Sequence, residues 1–255
     1  MRLALPSPLL EAAGFVHGFS VRTGGLSAPP FDSLNLARSV GDDLVKVAEN
    51  HGRLARDVGY APASLYEVSQ VHGATVRLVL TGDEPEQVRV EEADALVATV
   101  GGTVVGVRVA DCLPLLLADV RTGAVAAVHC GWRGVAAAIV DRALDALFSA
   151  GSRPGDLRAA IGPHIRACCF EVGDEVVASL GQVAHGVAFV TEAAAGERPH
   201  VDLAAVVGAQ LDGRGVTTAQ RDDIGGCTRC DAASFYSYRR DGARSGRHLA
   251  VIAVR

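Results

Sequence analysis

The amino-acid sequence predicts a single α+β domain. Three observations carry that reading. Hydrophobic runs of strand length recur along the chain between glycine-rich and aspartate-rich turns. Three segments instead repeat apolar residues at helical spacing or sit between helix caps. No repeat, low-complexity tract or linker divides the 255 residues. A chain of that length buries roughly 70–75% of its unfolded surface, enough for a full core without staples.

The elements follow in order. Residues 14–22 (GFVHGFSVR) read as a strand that enters a turn at Thr23-Gly24-Gly25. Asp42 is placed to cap a helix over 43–57, which Gly59 ends. Residues 65–71 and 74–80 read as strands on either side of His72-Gly73. Residues 93–99 and 103–109 read as two more, joined at Gly101-Gly102. Residues 113–119 and 124–129 form a hairpin across Val120-Arg121-Thr122-Gly123. A helix over 135–149 follows from Ile139, Val140, Ala143, Leu144 and Leu147, with Gly151 beyond its end. Residues 157–162 make a short strand before Pro163. Asp202 is placed to cap a helix over 203–212 that stops at Gly213, and LAVIAV near the C-terminus reads as a buried strand.

Composition narrows the function. A net charge of −5 lacks the basic excess that phosphate-backbone binding needs, so nucleic acid is not an expected partner. Lys46 is the sole lysine, so a small anion would have to be held by arginine forks or backbone N–H groups. The longest apolar stretch is broken by Arg108, Asp111 and Pro114, and no segment spans a bilayer. The first residues lack the apolar core and cleavage site of a signal peptide, so a soluble, cytoplasmic protein is expected. Six cysteines are too sparse for a disulfide scaffold and read as free thiols, ligands or nucleophiles.

The informative segment is VADCLPLLLADVRTGAVAAVHCGWRG. If Val120 pairs with Gly123, Pro114 faces His129, and Cys112 lies two residues from Pro114 on the same strand face. Cys112 and His129 then become diagonal neighbours at the open end of the hairpin, within roughly 7–8 Å. A one-residue change in register would separate them. Thiolate and imidazole suit zinc, but two ligands make a poor site. The best candidate for the third is His72, at a strand end before a glycine. Two histidines, one cysteine and an open position would match a catalytic zinc. Cys130, next along the strand, should point away from the ion.

The motifs VRTGGLS, SLNL, QVHG, ADALV, ADCLPLLL, VHCGWRG, IGPHI, CCFEVG, CTRC and SFYSYRRDG occur in an order and spacing that resembles the YfiH-type, laccase-domain or multicopper polyphenol oxidase family. The resemblance runs from about residue 15 to 254. It implies a layered α/β/β/α sandwich with mixed sheets and a zinc on His72, Cys112 and His129. It also implies purine nucleoside phosphorylase activity on adenosine, inosine, guanosine and methylthioadenosine, with adenosine deamination, so purine nucleosides and phosphate are the expected partners. The sequence departs from the family pattern at Cys130, where alanine is usual, and at Phe170, where tyrosine is usual.

His72, Cys112, His129 and Arg133 are therefore the expected catalytic residues. Arg22, Asn35 and Arg133 are the expected substrate contacts, the arginines by pairing with phosphate oxygens. Asp111 is a candidate to orient His129. Cys227-x-x-Cys230 and Cys168-Cys169 read as structural, because a lone CxxC is a weak metal signal. Two other functions compete: a cysteine hydrolase or amidase with Cys112 as nucleophile, for which the family resemblance implies editing of cell-wall precursors, and a non-catalytic metal-stabilised binding protein. Copper suits a His2Cys site as well. The eight histidines include no His-x-His pair, which disfavours a laccase.

Overall fold

The computed structural model describes residues 2–191 and 198–255. Its strands are β1 (Ala4–Leu5), β2 (His17–Ser20), β3 (Leu65–Tyr66), β4 (Val76–Val79), β5 (Ala95–Ala98), β6 (Val104–Val109), β7 (Leu113–Asp119), β8 (Val125–Cys130), β9 (Leu157–Ile161), β10 (Val190–Thr191), β11 (His200–Val201), β12 (Arg221–Asp223) and β13 (His248–Ala253). Its helices are α1 (Pro8–Ala12), α2 (Leu44–Val58), α3 (Pro85–Val88), α4 (Trp132–Ala136), α5 (Ile139–Ser149), α6 (Asp174–Gly181), α7 (Leu203–Gly213) and α8 (Tyr238–Asp241).

Two mixed sheets stack face to face. One has the order β1-β2-β13-β6-β3 and the other β12-β9-β7-β8-β5-β4, while β10 and β11 form a separate ribbon. Between the sheets, Phe19, Val105, Val107 and Ile252 of the first meet Leu96, Leu116, Val125 and Ala127 of the second. Helices α5 and α7 cover the outer face of the second sheet, packing Val140, Leu144, Leu147 and Val207 on Leu115, Leu117 and Val128. Helix α2 covers the first sheet through Leu54, against Leu65, Val104 and Val251. The expected α+β domain, with two mixed sheets flanked by helices, is the fold observed. Because both faces of β7 and β8 are covered, every residue of both strands is buried. This is why they read as unbroken apolar runs rather than alternating ones.

Several elements differ from their sequence-based bounds. Asp43, not Asp42, caps α2, accepting from Val45 N, while Gly59 ends the helix at φ 97°. The expected helix over 135–149 is two helices, broken where Ala138 turns left-handed at φ 62°. The strands on either side of His72 do not pair: β3 belongs to the first sheet and β4 to the second. The same is true of β5 and β6. These two crossings lie at opposite ends of the sheets, residues 67–75 at the end where Cys112 precedes β7 and residues 99–103 at the end of the β7–β8 turn. Among the described residues, no helix is long and apolar enough to cross a membrane.

Candidate metal centre and substrate cavity

The β7–β8 hairpin has the register expected of it, with Pro114 opposite His129 and Leu113 opposite Cys130. Cys112 precedes β7, and His129 lies near the end of β8. The third group, His72, reaches them from the loop between β3 and β4. The donor atoms of His72, Cys112 and His129 all lie within 4.8 Å of one another. The two imidazole centroids are 4.8 Å apart and their planes nearly perpendicular, at 79°. Cys130 is fully buried on the helix side of the sheet, with Leu113 and Val135.

The residue that organises this cluster is Asp94, which the sequence reading did not single out. It immediately precedes β5 and is fully buried. Its Oδ1 accepts from His129 Nδ1 at 2.7 Å and from His72 N at 3.0 Å. Its Oδ2 accepts from Gly73 N at 2.6 Å and from Val71 N at 3.3 Å. One carboxylate therefore holds the buried histidine and the backbone that carries the exposed one. These bonds also offset the left-handed conformation of His72, φ 59°. Asp94 commits Nδ1 of His129 and leaves Nε2 free to face Cys112, the arrangement that fixes a metal-ligating imidazole. The usable signal was a carboxylate at the start of a fully apolar strand, in ADALV. Gln70 anchors the same loop to β6 through a pair of 2.8 Å bonds with Arg108 N and O.

Asp111 does not reach His129. Its Oδ1 accepts from Thr228 Oγ1 and its Oδ2 from Arg239 N, each at 2.6 Å, which holds a left-handed turn (φ 88°) just before Cys112.

Electrostatics favour a thiolate. Burial pushes the Cys112 thiol up, but the imidazoles of His129 and His72 outweigh it and bring it down to about 6. For His129 burial acts downward, and Cys112 and Asp94 together raise it to about 9. Burial also opposes the charge on Asp94, yet the His129 ring and the loop amides keep its carboxyl below the ordinary range.

The donor set fits a metal. Thiolate and imidazole are borderline-soft ligands that suit zinc, and the cluster has the span of a single ion's coordination shell. Gly131 lies at its vertex. A Cβ there would stand 3.1 Å from His72 Cδ2 and 3.4 Å from Cys112 Sγ. Gly134 lets α4 sit on the His72 loop, since a Cβ would come within 2.7 Å of Gly73 O.

The cluster forms the floor of a cavity of about 680 Å³, a size suited to a small organic ligand. Arg108, Arg133, Arg239 and Arg247 line it, together with Trp132, Phe170 and Tyr238. Arg108 is spent on Glu67 at 3.2 Å. Arg133 lies over the Trp132 ring, 4.4 Å from its centroid, and has no carboxylate partner among the described residues. Arg22 and Asn35 lie outside the cavity. Arg22 is paired with Asp32 at 3.2 Å and also donates to the Asp32 and Ala232 carbonyls. Asn35 is fully buried, donates to Ala37 O and Asp42, and accepts from the backbone N–H groups of Ala37 and Arg247. Its link to the cavity is the placement of Arg247.

Residues 16–255 match the model of a family described as multi-copper polyphenol oxidoreductase laccase. The chain belongs to that family. Its relatives include a purine nucleoside phosphorylase of Deinococcus radiodurans, 39% identical over 97% of this chain and 93% of its own. Adenosine deaminase RL5, from an unknown prokaryotic organism, is 35% identical over 91% of each chain. The crystal structure of YlmD from Geobacillus stearothermophilus superposes with a TM-score of 0.90 at 31% identity, covering 100% of both chains.

Proposed function

We propose that this member of the laccase family is a purine nucleoside phosphorylase that also deaminates adenosine, working in the cavity above His72, Cys112 and His129 with zinc. The carrying observation is one cavity that joins a metal-suited donor triad to a free arginine fork and aromatic faces. The names of the relatives over nearly the full chain support the substrate class.

In this reading Arg133 clamps inorganic phosphate through two parallel N–H···O bonds. Phe170 and Tyr238 offer flat faces to the purine. A phosphate oxygen bonds to the ribose anomeric carbon as the glycosidic C–N bond breaks. The bond pair leaves on the purine nitrogen, which takes up a proton, giving free base and ribose 1-phosphate. Arg239 and Arg247 add positive charge around the transferring group. Asp94 keeps His129 in one tautomer throughout. When bound to His72, Cys112 and His129, zinc supplies Lewis acidity for polarising a substrate or water oxygen. Free thiols as ligands support a reducing compartment, the cytoplasm, as the working site.

The test is turnover by protein of measured zinc content. Inosine with phosphate should yield hypoxanthine and ribose 1-phosphate, and adenosine should yield ammonia. Zinc-loaded protein that produces neither overturns the reading.

One observation favours a second reading. Cys112, His129 and Asp94 line up as thiolate, imidazole and carboxylate, the arrangement of a cysteine hydrolase. Activity that survives chelation and disappears on Cys112 alkylation would select it.

A further inference from the structure

The four cysteines expected to be mere packing meet in one place. Cys168 and Cys169 lie in the loop after β9, and Cys227 and Cys230 in the loop before α8. The Sγ atoms of Cys168 and Cys169 are 3.8 Å apart, those of Cys168 and Cys230 3.7 Å, and those of Cys169 and Cys230 3.3 Å. All four sulfurs lie within 4.8 Å of one another. A tetrahedral zinc with Zn–S of about 2.3 Å spaces its sulfurs about 3.8 Å apart. The thiols therefore already stand at the corners of a cage of the right size, and all four are free.

We propose that Cys168, Cys169, Cys227 and Cys230 bind a second, structural zinc ion, separate from the cavity, that clamps the two loops forming one wall of that cavity. The proposal does not depend on what the cavity catalyses.

A second observation points to the same ligand. The backbone N–H groups of Arg166, Arg229 and Cys230 are directed at Cys227 Sγ. Arg229 and Cys230 stand two and three residues past it, so the Cys-x-x-Cys turn wraps its amides around its first sulfur. Such nests stabilise a thiolate and recur at metal–thiolate sites. The Arg229 side chain also hydrogen-bonds the Cys169 sulfur. A four-thiolate zinc carries a net charge of about −2, and these donors lie where they would offset it.

The position explains the need. Between them the two loops hold no long element: His164 O accepts from Thr228 N at 3.1 Å, and a single bridge joins His164 to Cys227. Yet they present Ile165 and Phe170 to the cavity and lead into Tyr238 and Arg239. Thr228, inside the Cys-x-x-Cys turn, holds Asp111 beside Cys112. An ion here would fix the cavity wall and the turn that carries Cys112 without touching substrate.

The test is native mass spectrometry with metal analysis on protein purified under reducing conditions. Wild type should carry two zinc ions per chain and His129→Ala one. Adding Cys227→Ser and Cys230→Ser to His129→Ala should leave none. The proposal is overturned if His129→Ala holds no zinc after reconstitution, or if its zinc survives the two serine substitutions. Alkylation of folded wild type gives an independent readout should the serine variants misfold. The exposed thiols of Cys168 and Cys230 should react at least about tenfold more slowly before a thiol-displacing chelator than after it. Equal rates, or a disulfide between these cysteines in the reduced preparation, would also overturn it.

Discussion

Asp94→Asn tests how much of the metal centre rests on one carboxylate. Each oxygen of Asp94 accepts two N–H groups: His129 Nδ1 and His72 N on one, Gly73 N and Val71 N on the other. An asparagine offers one acceptor oxygen and one NH2. If the NH2 replaces Oδ2, two loop amides face a donor and the His72 loop loosens. If it replaces Oδ1, His129 must turn Nδ1 into an acceptor and move its proton to the nitrogen that should face the ion. Both outcomes damage the ligand set. Loss of such an orienting partner typically costs 10–100-fold in metal affinity, about 1.4–2.8 kcal/mol. Competition against a chromogenic chelator measures it directly. A thermal melt of the metal-free protein separates it from the stability cost, about 1–3 kcal/mol for unpaired buried donors. A folded Asp94→Asn variant with zinc affinity within about twofold of wild type would refute the assignment of Asp94 as the residue that orients both histidines.

Gly131→Ala should lower zinc affinity at the His72 centre by at least about tenfold, because its Cβ would press on His72 and Cys112; the same chelator competition reads it, with a melt to check the fold. The depressed Cys112 and raised His129 values set a pH dependence. Between about 6 and 9 the metal-free pair rests as thiolate and imidazolium, so loading one ion should displace about one proton, that of His129. Below pH 6 Cys112 also binds a proton, so affinity should fall more steeply as the pH drops; calorimetry in buffers of different ionisation enthalpy counts the protons. Arg133→Ala should raise the KM for phosphate about 10–100-fold, as expected for removal of a charge-assisted fork, with circular dichroism unchanged. Equal phosphate KM values in variant and wild type would remove Arg133 from the phosphate site.

The hairpin was legible from its two apolar runs and short turn, but its register rested on pairing Val120 with Gly123, because burial on both faces does not select one; the observed register is that one, and it brings Cys112 to His129. The two-sheet stacking was not legible from adjacency. Segments 65–71 and 74–80 look like neighbours, but the His72 loop carries the chain from one sheet to the other. Ala138 was invisible as a helix break, since alanine favours helix; α4 is set instead by its seat on Gly73. Asp94 was missed because its partners are distant in sequence and reach it through the pairing of β5 with β8, which brings His129, and with β4, which brings the His72 loop. Arg22 shows the limit of residue type: a guanidinium suits an anion, but the sequence does not reveal that Asp32 and nearby carbonyls engage its fork.

The three donors of the candidate metal centre differ in depth. His129 is buried, Cys112 half-buried and His72 open to solvent. An ion arriving from water therefore meets His72 first and the anchored pair last, and on departure His72 is the bond to break first. Mutating it should hasten exchange of the ion more than it weakens the remaining hold, which makes the outer histidine the gatekeeper of metal traffic and the inner pair its lock.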